Sequence, residues 1–219
     1  MKLNLKRGLE SWKAMSREDR RLRRKEFIID NSLYMFLIAA IVGIVIYDPR
    51  FLSVPSLVNI LSLSAANLPI ALGIAGAIIL SGTDLSAGRV VGLVACVSAS
   101  LLQMSGYPNK MFPGLNALPL PVVILIALAI GGVIGLINGF CVAKFRLHPF
   151  IVTLATQLIV FGVLLMYLMN GTNNGQSISG LDPSYTEFIT GSFLKIGNTA
   201  VPNFVFYSIG ITILMWFVW

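Results

Sequence analysis

The sequence predicts an all-α polytopic membrane protein, and three observations carry that prediction. Hydrophobic residues make up 56% of the 219 residues and charged residues only 11%, a balance foreign to soluble domains and to disordered chains. The apolar residues gather into about six segments of spanning or near-spanning length, at 32–47, 56–80, 88–104, 120–143, 149–169 and 203–219. The cations are segregated, with ten of the sixteen Lys and Arg inside the first 30 residues.

That segregation sets the expected domains and orientation. Residues 1–30 read as a cytoplasmic basic segment and residues 31–219 as the membrane domain, because flanking Lys and Arg hold a segment on the inner side. With six spans, Arg89, Lys144 and Arg146 join the inner side and Arg50, Lys110 and Lys195 the outer, a split of thirteen to three. The basic balance therefore reports orientation toward the lipid surface, and no nucleic acid partner is expected. Leu5, Leu9, Trp12 and Met15 have the spacing of an interfacial amphipathic helix. Ser16 followed by Asp19 marks a helix start leading toward the first span.

The second span carries Asn59, Ser62, Ser64, Asn67 and Pro69. Polar side chains at membrane depth must face other helices or a water-filled path. Pro69 lacks a backbone donor and its ring crowds the preceding turn, so the helix is expected to kink or break there. In the fourth span Gly131, Gly135 and Gly139 recur every fourth residue beside Asn138, a small-residue ridge that lets a neighbouring helix pack closely. The fifth span starts at Pro149 and carries Thr153, Thr156 and Gln157, of which Gln157 is the most polar and is expected to face the bundle or a path. Residues 170–202 form a long polar external connection.

The stretch that organises the chain is 67–92, NLPIALGIAGAIILSGTDLSAGRVVG. An apolar segment there runs into Ser81, Gly82, Thr83, Asp84, Leu85 and Ser86 before a second apolar segment begins. Two readings stay open. In one, the cluster is a short cytoplasmic loop whose hydroxyls end one helix and whose Ser86 caps the next. In the other it is part of a solute path, because a carboxylate at the bilayer centre costs about 2.5–3.5 kcal/mol or more and is kept there for function or close pairing. The candidate path residues are Asn59, Ser64, Asn67, Ser81, Thr83, Asp84, Ser86 and Gln157.

The wording LSGTDLSAGR closely resembles the signature of bacterial ABC-importer permeases for monosaccharides, the ribose and galactose type. Two further stretches are similar to the same family: GGVIGLINGFCVAKFRLHPFIVTLAT at 131–156, and ISGLDP at 178–183. The resemblance implies a permease that works as a pair, with two ATP-binding-cassette ATPase subunits and an extracytoplasmic sugar-binding protein docking on the external connection. The implied solute is galactose or methyl galactoside, and the implied location is the bacterial inner membrane. It also implies about ten spans of about 20 residues each in the whole fold. The chain runs to Trp219 within the apolar FVFYSIGITILMWFVW, so it is expected to be the amino-terminal two-thirds of such a permease, with the ATPase-coupling loop beyond it.

Other chemistry is absent from the pattern. No Gly-rich phosphate loop ending in Lys-Ser or Lys-Thr occurs, nor a nucleophile–base constellation or a metal-ligand spacing. Catalysis, a cofactor and a metal are accordingly not expected, and ATP hydrolysis is assigned to a separate subunit. Cys96 and Cys141 fall in or beside spans, where a thiol packs as a small apolar group. His148, the one histidine, stands at an inner helix start. Two rival readings remain: an ion-coupled secondary transporter with Asp84 as the titrating group, and an inactive truncated permease.

Overall fold

The computed structural model describes residues 17–79, 82–170 and 174–218. The stretch containing Leu5, Leu9, Trp12 and Met15, the expected cap Ser16, and the site candidate Ser81 lie outside the described residues. The chain divides into two compact units, Met1–Leu57 and Val58–Trp219.

In the first unit, helix α1 (Arg17–Asp30) is followed by α2 (Ser32–Tyr47). Asn31 sits between them and donates through Nδ2 to the Phe27 carbonyl at 2.9 Å. A single 3-10 turn, Pro49–Leu52, follows; Asp48 accepts from the Arg50 amide at 2.9 Å, and proline stands where a helix start has no donor to lose. No residue of α2 is buried, which for an apolar helix means that lipid or another chain is its solvent.

The second unit holds most of α3 (Val54–Ile79), then α4 (Ala87–Leu101), α5 (Leu120–Phe145), α6 (Pro149–Met169), the short α7 (Pro183–Thr190), an antiparallel hairpin of β1 (Leu194–Ile196) and β2 (Thr199–Val201), and α8 (Asn203–Val218). Three of these, α3, α5 and α6, are long and apolar enough to cross a membrane. Their outward side chains are apolar and largely uncovered, as with Leu128 and Ile159. The fold is thus an all-α multi-pass membrane bundle. The expected segments at 32–47 and 149–169 coincide with α2 and α6, and the others differ by a few residues at their ends.

One sequence expectation is corrected: of the kink or break expected at Pro69, the break does not occur. α3 runs unbroken through Pro69. A single missing donor in a 26-residue apolar helix leaves the rest of its ladder intact, and lipid offers no competing partners. The 170–202 connection carries ordered structure of its own. Asp182 caps α7 by accepting from the Ser184 amide at 2.9 Å, and Val201 and Val205 pack with Val58 and Ala65 of α3 in a small core.

This connection folds against the one that follows α4. Gln103, fully buried, donates to the Ser179 carbonyl at 2.9 Å and accepts from the Met111 amide at 2.8 Å. The Met104 amide donates to Gly180 O at 2.9 Å, and the Asp182 amide to Leu102 O at 2.8 Å. Gly180 has φ +75°, and the Tyr107 ring occupies the space a Cβ would need. Both constraints require glycine. Gly180→Ala is expected to destabilise the purified protein by about 1–3 kcal/mol, read as a lower unfolding temperature in detergent, whereas Gly114→Ala, in open space with ordinary φ, is expected to leave it unchanged.

Candidate functional site

Residues 82–86, before α4, pack against α6. The Gly82 amide donates to Ala77 O, five residues back, at 2.8 Å. A Cβ on Gly82 would sit 3.2 Å from both Ala77 O and Pro149 Cβ, so glycine lets the chain turn tightly against the first residue of α6. From there the backbone climbs beside α6. The Leu85 amide donates to Thr153 Oγ1 at 3.2 Å. Thr153 Oγ1 in turn has Thr83 O at 3.1 Å and Pro149 O at 2.9 Å as acceptors, and its single proton serves them in alternation or shared.

A second set of bonds carries the contact across to α5. Asp84 Oδ1 accepts from the Ser86 amide at 2.8 Å and from Ser86 Oγ at 2.6 Å. Ser86 Oγ accepts from Asn138 Nδ2 at 3.2 Å, and Asn138 Oδ1 accepts from Thr156 Oγ1 at 2.6 Å. Ser86, Asn138 and Thr153 are buried, each less than a tenth exposed. The result is a continuous polar chain, Asp84, Ser86, Asn138, Thr156, joining the loop to two helices. Unpaired, each of these groups would cost about 1–3 kcal/mol in such a setting. Together they hold five irregular residues in place.

One face of this chain opens into a cleft of about 270 Å³. Asp84, Ser86 and Asn138 supply its polar wall, and Ile70, Gly73 and Gly135 are among its other lining residues. The volume lies near the lower end of small-molecule sites, about 300 Å³. Its donors and acceptors are hydroxyl, amide and carboxylate, which suit a small hydroxylated solute.

The structure brings together Asp84 and Ser86, and sets Thr83 beside them through its carbonyl. It does not bring Asn59, Ser64, Asn67 or Gln157 to them. Asn59, Ser64 and Asn67 are exposed on α3, and Asn67 Nδ2 returns to its own helix at Leu63 O, 2.8 Å away. Gln157 is half-buried and outside the cleft lining. Ser86 stands at the N-cap of α4 but makes no side-chain cap bond; its hydroxyl is committed to Asp84. His148 Nδ1 accepts from the Phe150 amide at 3.3 Å at the start of α6. A Cβ added at Gly131, Gly135 or Gly139 meets nothing within 4 Å, so no neighbour among the described residues of this unit fills that ridge.

Sequence reasoning named Thr153, Thr156 and Gln157 together but took only Gln157 as a path candidate; the i, i+3 spacing places both threonine hydroxyls on one face of α6. It noted Asn138 only as a neighbour of the glycine ridge. A hydroxyl in an apolar helix is a weak signal, since it can return to its own helix, as Ser62 Oγ does to Val58 O at 2.8 Å. Thr153→Val is expected to free the loop and lower stability by about 1–3 kcal/mol. Thr153→Ser, which keeps the hydroxyl, is expected to stay near the parent in the same detergent melts.

An all-α bundle that keeps a carboxylate, a serine and an asparagine around a cleft among its apolar helices has the make-up of a membrane permease. Residues 56–219 match the family described as branched-chain amino acid transport system / permease component, and the chain belongs to that family. It is 41% identical over 201 residues to the galactose/methyl galactoside import permease protein of Escherichia coli (strain K12), an alignment covering 90% of this chain and 59% of that protein. The protein of the same description from Haemophilus influenzae is 38% identical over 194 residues, covering 89% of this chain and 57% of the relative. The ribose import permease protein of E. coli (strain K12) is 32% identical over 148 residues, 68% of this chain and 42% of the relative. The chain therefore spans less than two-thirds of the length of these curated relatives. No solved structure matches it.

Proposed function

We propose that the chain is the membrane-spanning permease part of an ATP-binding-cassette importer for a monosaccharide, with galactose or methyl galactoside as solute. The single observation that carries this reading is the Asp84–Ser86–Asn138–Thr156 chain beside a small cleft. A sugar entering such a site exchanges water for hydroxyl, amide and carboxylate partners of moderate strength, and so is able to leave again. The printed names of the galactoside permease relatives support the choice of solute.

In this reading the protein sits in the bacterial inner membrane with its amino terminus in the cytoplasm, as the cation distribution favours. It pairs with a second permease copy. Two ATPase subunits hydrolyse ATP and bias the pair between outward and inward openings, and an external binding protein delivers the sugar to the face formed by residues 102–118 and 174–202. The permease itself catalyses nothing. Asn59, Ser64, Asn67 and Gln157, away from the cleft, are candidate contacts in the assembled path. The Gly131, Gly135 and Gly139 ridge is a candidate surface for close approach by a neighbouring helix.

The test is uptake of radiolabelled galactose by cells that lack their own galactoside permease, retain its binding protein and ATPase, and express this chain. Uptake that disappears with a hydrolysis-dead ATPase is the expected result. Uptake that survives the dead ATPase and follows the proton gradient would instead make the protein a secondary transporter. Asp84→Asn keeps an acceptor for Ser86 but loses the charge assistance, so uptake is expected to fall about tenfold, equivalent to ~1.4 kcal/mol.

A further inference from the structure

Arg89 lies where a lipid-facing surface would penalise it. Two hydrogen bonds fix its level along α6. The Leu85 amide meets Thr153 just before α4 begins, and Ser100 Oγ meets the Tyr167 hydroxyl at 2.5 Å near its end. The sequence separations are 68 and 67, so α4 and α6 run parallel in a constant register that sets Arg89 level with Gln157. Helix α6 has 21 residues, about 31 Å at 1.5 Å per residue, the thickness of a bilayer core. Gln157 is near its middle.

The side chain does not retreat from that depth. A snorkelling arginine would run back toward the near end of α6, at the level of Pro149. Instead the guanidinium lies 4.3 Å from the centre of the Phe161 ring, on the side of Gln157 away from Pro149. Arg89 is exposed, and among the described residues the ring is its partner, with no carboxylate paired to it. A cation over an aromatic face gains roughly 0.5–2 kcal/mol, whereas an arginine at the helix centre in lipid costs about 2.5–3.5 kcal/mol by insertion and far more by simulation. The ring does not offset lipid. Water does.

We propose that the α4–α6 face carrying Arg89 and Phe161 is a water-exposed wall of the solute path, midway across the membrane. The proposal rests on the importer reading and says where in the bundle the solute passes. Arg89 presents its N–H donors there to the hydroxyl oxygens of an uncharged, polyhydroxylated solute, and Phe161 holds the guanidinium in position. The Asp84 cleft opens on the opposite side of α4, lined by Ala87, Val90 and Val91, so the loop and the arginine act on different faces of one short helix.

The test uses the full chain in membrane vesicles, with Cys96 and Cys141 replaced by serine. Single cysteines at Arg89, at Phe161 and, as the reference, at Ile159 on the far side of α6 are treated with a charged, water-soluble methanethiosulfonate. Thiols react as thiolates, which form only in contact with water, so Arg89→Cys and Phe161→Cys are expected to be labelled at least about tenfold faster than Ile159→Cys. Equal rates at all three positions would overturn the proposal. In the assembled importer, labelling at Arg89→Cys is expected to block galactose uptake; labelling that leaves uptake intact would remove the position from the path. Phe161→Cys supplies the same two readouts should Arg89→Cys fail to accumulate. Labelling requires no solute and no ATPase, so its failure counts against this wall, while loss of ATP-dependent uptake in the unmodified chain counts against the importer reading.

Discussion

Backbone that leaves a helix at membrane depth has no water to satisfy it, and the rest of this structure follows from how residues 82–86 meet that requirement. Several of the loop's polar groups are tied down: Gly82 N on Ala77, Leu85 N on Thr153, Ser86 N on Asp84, Thr83 O on Thr153. Irregular chain at such a level is tolerated where it is packed in protein or borders a cavity, and here both hold. Thr153 sits about one turn and Asn138 about two turns from the connected ends of the hairpin formed by α5 and α6, so one apolar hairpin supplies both anchors.

The same loop explains why α4 is short. Fifteen helical residues reach about 22 Å, well under a bilayer core of about 30 Å. The extended residues before Ala87 make up the shortfall beside α6, and they bring Asp84 and Ser86 inward with them. A carboxylate at that level is held by two donors from one serine, which are charge-assisted and about twice as strong as neutral bonds. The arrangement fixes Asp84 Oδ1 inward and leaves the polar wall facing the cleft.

Much of the fold was legible in the residues. Apolar length alone located α2 and α6 to the residue, because Pro149 and the polar Asn170 bound α6 sharply and Asn31 and Asp48 bound α2. What escaped was tertiary. Pro69 reads as a breaker by itself, yet a long apolar helix absorbs one lost bond. The 170–202 connection reads as polar loop, because strands of three residues carry no periodicity and the buried Gln103 that organises it lies some 70 residues earlier. At the site, Asp84 and Ser86 stood out by being polar near apolar segments, whereas Thr153 and Asn138 reach the loop through partners 52 to 70 residues away. Arg89 was counted with the inner connection; the parallel register of α4 and α6 sets it within the span.

The most direct measurement of the central claim is hydrogen exchange at the Leu85 and Ser86 amides in the chain reconstituted in lipid nanodiscs. The account predicts protection at both amides comparable to that of the first turns of α4, and its loss at Leu85 but not along α6 in Thr153→Val. Exchange at the rate of an unstructured loop in the unmodified chain would contradict it, and would make residues 82–86 an ordinary solvated connection.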